Sequence, residues 1–171
     1  MPMSEHQGES RVYSRAEVVR GSVVYALGDS VAAWIAGDFS LSRLVGMGFI
    51  GGTVYAYEIP HYFRWIEHRV ATRRHPQLTR TWLALLYFNP LWIARHLFFI
   101  KLFSGDWPGI SSRLVRVGFE SFLFNAPLAF AANYVIQNKL PLAWRFTGSA
   151  VFSGFMAIYY ALSGVWFESV H

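Results

Sequence analysis

Residues 119–166 read FESFLFNAPLAFAANYVIQNKLPLAWRFTGSAVFSGFMAIYYALSGVW, and this stretch decides the fold class. Two long apolar runs flank a short polar elbow at Gln137, Asn138 and Lys139. A helix rises about 1.5 Å per residue, so about 20 apolar residues cross roughly 30 Å of hydrocarbon. Each run is long enough. Pro127 and Asn133 lie inside the first run, and Arg145 lies near the start of the second. Polar groups at those depths need partners from the protein, or water at the membrane surface. The stretch predicts a packed helical hairpin in a membrane, without the residues of a catalytic site.

The composition extends this reading to the whole chain. Of 171 residues, 54% are hydrophobic and only 15% charged, against about 25% charged in an ordinary soluble domain. The length suits one domain. Seven Trp, 9 Tyr and 15 Phe make 18% aromatics, which lipid-facing helices tolerate and membrane interfaces favour. There is no cysteine, which excludes disulfides, thiolate nucleophiles and sulfur-ligated metals. The net charge of +5 sits in loops between apolar runs, a distribution that fits membrane topology and not a nucleic-acid interface.

Five apolar segments follow a polar tail at residues 1–16, and residues 17–171 read as one transmembrane bundle. The tail is polar and mixed in charge; it lacks the apolar core of a secretory signal, and Glu5 and Glu9 argue against a mitochondrial transit peptide. The first segment, Val18 to Ala36, contains Asp29 and carries Gly28, Ala32 and Ala36 at every fourth residue. The second, Leu41 to Ile66, repeats the device with Gly48, Gly52 and Ala56, and Pro60 predicts a kink. The third, Thr79 to Phe103, contains Asn89-Pro90, Arg95, His96 and Lys101, and the turn SGDWPG follows at 104–109. Residues 110–118 form an amphipathic lead-in to the fourth. The fifth, Pro141 to Trp166, carries Ser149, Ser153, Ala157 and Ala161 on one stripe. Small residues at that spacing let helices approach closely in lipid. The predicted class is all-α, a polytopic membrane bundle of four to five helices. The count is four if Asp29 keeps the first segment on the surface.

Loop charge places the N-terminus, the 67–80 loop and the 137–140 elbow on the cytoplasmic side, with Arg113 and Arg116 counting against it. Arg69, Arg73, Arg74 and Arg80 are a topology signal that doubles as a candidate site for anionic headgroups.

Asp29 is the most informative single residue. A charge within an apolar segment is functional by default, or else paired, and Arg145 and Arg95 are the candidate partners. Glu58 and His61 form an ExxH pattern on one helical face. A di-iron bundle needs two such motifs and two more carboxylates, so no metal is inferred. His61 and His96 as axial haem ligands are a weaker alternative to hydrogen-bonded histidines. The aromatics at 82–107 could receive pigment, quinone or lipid, or simply face the bilayer. No phosphate loop, nucleophile elbow or dinucleotide fingerprint is present. No enzyme is predicted.

Several local patterns occur together in one order. They are Gly28-Asp29, Arg43 with GMGFIGG, Pro60-His61-Tyr62-Phe63 leading to Trp65, and Asn89-Pro90-Leu91. Pro127, Asn133, Pro141, Arg145 and Tyr160-Ala161-Leu162-Ser163 follow. Over about residues 20–166 this order resembles the family of the Mpv-seventeen protein and the 22 kDa peroxisomal membrane protein. Members usually show Trp-Pro and a nearby Gln where this chain has Ala126-Pro127 and Phe130. Their late Trp-Asn is replaced by Ile158-Tyr159, and the Asn-to-Pro spacing is longer.

The resemblance implies a channel or transporter for ions or small solutes, with Asp29, Glu58, Arg95, Asn133 and Arg145 along a polar path. The departures and the small-residue stripes favour an accessory or structural subunit packed on a larger respiratory or photosynthetic complex. The expected partners are membrane lipids and other membrane subunits or further copies of the chain. A bacterial inner membrane is the expected location, with mitochondrial inner or peroxisomal membranes as alternatives.

Overall fold

The computed structural model describes residues 14–168, with side chains described as far as residue 162. Within that range every regular element is helical. The first, α1 (Arg15–Ile35), opens on a capping box: the Ser14 hydroxyl accepts from the Glu17 N–H, and the Glu17 carboxylate accepts from the Ser14 N–H. Two otherwise free N–H groups are satisfied this way. The helix therefore begins inside the stretch read as tail, of which residues 1–13 lie outside the described range.

Ser40 caps α2 (Leu41–Ile50), accepting from the Arg43 N–H at 3.2 Å. This helix continues without a break through a π-helical turn (Gly51–Tyr55) into α3 (Ala56–Val70). The irregularity thus sits ahead of Pro60 and not at it. A proline lacks the N–H that would bond back one turn and its ring crowds that carbonyl, so the preceding turn opens.

The single third segment is two helices, α4 (Pro76–Tyr87) and α5 (Pro90–Ser104), bent by 42°. Asn89 restarts the helix, its side chain accepting from the N–H groups of Leu91 and Trp92, and Pro90 supplies a preset φ for the first turn. The 27-residue α6 (Arg113–Lys139) absorbs most of the lead-in and also the elbow, so that Gln137, Asn138 and Lys139 are helical. The break falls at Leu140, held extended at φ −93° and ψ 141° because Pro141 follows it. The last helix, α7 (Leu142–Glu168), begins just beyond.

Glycines set the crossings. α1 runs parallel to α7, with Gly21 beside Phe146 and Gly28 on Gly154. It runs antiparallel to the 41–70 rod, with Gly51 on Gly21 and Gly52 on Ser22. A Cβ on Gly28 would lie 2.8 Å from the Gly154 Cα, and one on Gly51 would lie 2.5 Å from the Gly21 carbonyl oxygen. Ala32 and Ala56 are buried, whereas Ala36 is exposed at the end of α1. Gly21, Gly51 and Gly154, absent from the every-fourth-residue reading, also form these crossings. The Ser149/Ser153/Ala157/Ala161 stripe is not pressed against a helix; it faces an internal cavity.

Polarity is arranged inside out. Trp34 is 76% exposed and Phe124 77%, and Val19, Val23, Leu27 and Val31 continue the apolar outer face of α1. Asp29, Arg43, Asn125, Asn133, Gln137 and Arg145 are buried instead. An apolar surface of this extent needs an apolar surrounding. Among the described residues, α1 and α6 are long and apolar enough to cross a membrane, and the bent α4–α5 pair makes a third if it forms one span.

Candidate functional site

A cavity of about 560 Å³ lies between α1, α5, α6 and α7. Its α6 wall follows from spacing alone: Ser121, Asn125, Ala129 and Asn133 recur every four residues and so share one face. The facing wall of α7 carries Ser149, Ser153, Met156 and Tyr160, and α5 contributes Trp92, His96 and Leu97. The cavity is mostly apolar with a line of neutral polar groups down α6. One turn beyond Asn133 and outside the cavity lining, Gln137 is fully buried, with neither amide atom hydrogen-bonded among the described residues.

The charged end is built by the short α1–α2 connection, which folds Arg43 back onto Asp29. The Arg43 guanidinium donates to both Asp29 oxygens, from Nε at 2.7 Å and from Nη2 at 2.9 Å. Its remaining terminal nitrogen donates to Asp38 at 2.8 Å. The Asp29 side chain is 3% exposed, Arg43 8% and Asp38 55%, so this group runs from the interior to the surface. Lys101 lines the same cavity and pairs with Asp106 at 2.6 Å. Two parallel N–H···O bonds neutralise Asp29, the arrangement a charge in a dry interior requires.

The partners expected for Asp29 are engaged elsewhere. Arg95 donates to both Glu58 oxygens, at 3.0 and 2.7 Å, and the Tyr87 hydroxyl adds a third bond to Glu58. Arg145 donates to Glu67, which also accepts from Arg80 Nη2 at 3.0 Å. Of the five residues of the predicted polar path, only Asp29 and Asn133 line the cavity. The others are held on other crossings, Glu58 of α3 with Arg95 of α5 and Arg145 of α7 with Glu67 of α3.

The histidines also separate. His61 donates from Nδ1 to the Tyr57 carbonyl at 2.6 Å, and it is absent from the cavity wall. His96 lines the cavity, stacks on Trp92 at 5.4 Å and bonds the Tyr55 hydroxyl at 3.0 Å. Tyr55 ends the π-helical turn, so the irregular backbone sets this ring against His96. Among the described residues no three His, Asp or Glu side chains come together as metal ligands. Within the basic loop, Arg69 lies 5.0 Å over the Trp65 ring and Arg73 and Arg74 are exposed. Arg80 is not available to a headgroup, since it holds Glu67 and also donates to Asn138 at 3.1 Å.

Glu67 lies one residue past the Leu41–Ile66 run and ties α3 to α4 and α7. Burial pulls its pKa up, but the hydrogen bonds from Arg145 and Arg80 outweigh this and hold it below the ordinary glutamate value of 4.5. A depressed carboxylate stabilises the fold above its unfolded pKa and loses that contribution as pH falls through the folded one. Thermal stability in lipid is thus expected to fall as pH drops below about 4.5, and Glu67→Gln is expected to flatten that part of the profile. An unchanged slope in the variant would assign the acid sensitivity to other carboxylates.

Comparison of the chain with family models, with curated proteins and with solved structures gives no match. The functional reading therefore rests on the site. Arg43, Ser121 and Asn125 were missed as site residues in the sequence. The four-residue spacing of polar groups on α6 was the available signal for two of them.

Proposed function

We propose that the protein is a non-enzymatic, polytopic membrane bundle that binds a small solute between α1, α5, α6 and α7 and passes it along α6. The observation that carries this reading is one face of α6, with Ser121, Asn125 and Asn133 turned into the cavity, while Phe119, Leu123, Phe124, Leu128 and Val135 are exposed on its other faces. Polar groups at membrane depth that face a cavity mark a solute path by default. The volume falls within the roughly 300–1,000 Å³ of small-molecule sites. The resemblance to the Mpv-seventeen family favours the same class. On this reading residues 41–66 of the rod and α7 also cross, giving five spans with the bent pair counted once.

The test is reconstitution of the purified chain into liposomes and planar bilayers. Swelling in isosmotic glycerol and conductance in KCl are compared for wild type and Ser153→Trp, which fills the cavity from α7. Permeation at least tenfold above protein-free membranes, returned to background by Ser153→Trp, is the expected result. Background permeation by wild type in both assays would rule the reading out.

A second reading, an accessory subunit of a larger membrane complex, is favoured by one observation. Glu58 and Glu67 are each neutralised by arginines of this same chain, as a purely structural bundle requires. Gentle extraction from the native membrane distinguishes the two. Stoichiometric migration with a larger assembly supports the subunit role, and migration as a small oligomer supports the solute path.

A further inference from the structure

We infer that the cavity takes a neutral solute with an apolar body and a hydrogen-bond-donating end group, a hydroxyl or a primary amide, seated against Asn133 and Ser149. The inference rests on the reading of the cavity as a solute site and names the class of solute. Asn133 and Ser149 are each 3% exposed and line the cavity from α6 and α7. Asn133 Nδ2 donates to the Ala129 carbonyl at 2.9 Å. A carbonyl only accepts, so the amide orientation is determined and Oδ1 points away from that bond. Among the described residues neither Asn133 Oδ1 nor Ser149 Oγ has a hydrogen-bond partner. The two belong to one layer of the α6–α7 seam: a Cβ on Gly148, next to Ser149, would lie 3.5 Å from Ile136 Cγ1, one turn from Asn133.

The chemistry of these two atoms selects the ligand. An amide oxygen accepts only, whereas a hydroxyl both donates and accepts. A ligand hydroxyl can donate to Asn133 Oδ1 and accept from Ser149 Oγ, leaving neither of these two atoms unpaired. A carboxylate or phosphate brings only acceptors, which oppose Oδ1. The charged residues of the cavity wall, Asp29, Asp38, Arg43 and Lys101, are already in ion pairs. A lone carbonyl, as in a quinone, can satisfy Ser149 and leaves Asn133 unmatched. The rest of the wall, including Phe88, Ile93, Leu97, Phe152 and Met156, suits an alkyl or isoprenoid body.

The experiment is native mass spectrometry of the full-length chain released from lipid nanodiscs and titrated at pH 7.5 with 1-decanol or decanoic acid. One saturable equivalent of decanol is expected, with decanoate binding at least about tenfold more weakly. Asn133→Leu and Ser149→Ala should each weaken decanol by about tenfold, the effect of one unmade hydrogen bond, and leave decanoate unchanged. Ser149→Ala is small enough to keep the fold, so the test survives if Asn133→Leu does not assemble. Equal uptake of acid and alcohol, or decanol binding indifferent to Ser149→Ala, would overturn the inference. Permeation blocked by Ser153→Trp without any decanol site would overturn it too, while leaving the solute path standing. A saturable, Ser149-dependent decanol site in a chain that shows no permeation would uphold the inference and remove the path.

Discussion

Arg43→Met is expected to lower the stability of the bundle by about 3–5 kcal/mol, the usual cost of stranding one member of a buried ion pair. Arg43 is the only group that bonds Asp29, through two contacts of 2.7 and 2.9 Å among the described residues. Asp29 is 3% exposed, so losing Arg43 leaves its charge buried without a partner. Asp38 also loses a bond, but it is 55% exposed and water replaces the arginine there. The companion variant is decisive. With Asp29→Leu and Arg43→Met together no charge remains buried, and most of the loss should be recovered, since an apolar pair of similar volume is often no worse than the ion pair. Denaturant titration in nanodiscs followed by tryptophan fluorescence measures both. A single variant within 1 kcal/mol of wild type, or a double as unstable as the single, would show that the pair does not hold this end of the bundle together.

The second large effect is steric. Gly28→Val places a branched Cβ where only 2.8 Å separates it from the Gly154 Cα. Side chains can rotate out of a clash, but a helix backbone cannot, so α1 and α7 must part along their length. Overpacking costs typically 1–3 kcal/mol and more where nothing yields; a loss of about 3 kcal/mol or failure to assemble is expected. Gly48→Ala is the control. Its Cβ would meet the Ala26 methyl at 3.3 Å, a contact that a few tenths of an ångström relieve. It should stay within about 1 kcal/mol of wild type. Equal tolerance of both substitutions would mean that the α1–α7 crossing is looser than its glycines imply.

The distance between sequence and structure is clearest at the helix breaks. Pro141 ends α6, but through its effect on Leu140, so the polar residues before it stay helical. Asn89-Pro90 is legible as a break once both roles are seen, the asparagine as cap and the proline at the first turn. The π-helical turn at Gly51–Tyr55 carries no local signature beyond two glycines and a proline further on. It determines where Tyr55 stands, and with it the hydrogen bond to His96.

By itself the sequence determined the all-helical class, the apolar exterior and the small residues that permit close crossings, because these depend on composition and on periodicity along one helix. Only the tertiary structure decided which charges pair: Asp29 with Arg43, Glu58 with Arg95, Glu67 with Arg145 and Arg80. It likewise turned the serine stripe of α7 to a cavity and not to a neighbouring helix. The physical reason is the same in both cases. A buried charge needs an opposite charge but has no preference for one arginine over another until the helix crossings bring one within reach. A stripe of small residues permits close approach, and the packing of all the helices together determines whether a helix or a space lies opposite.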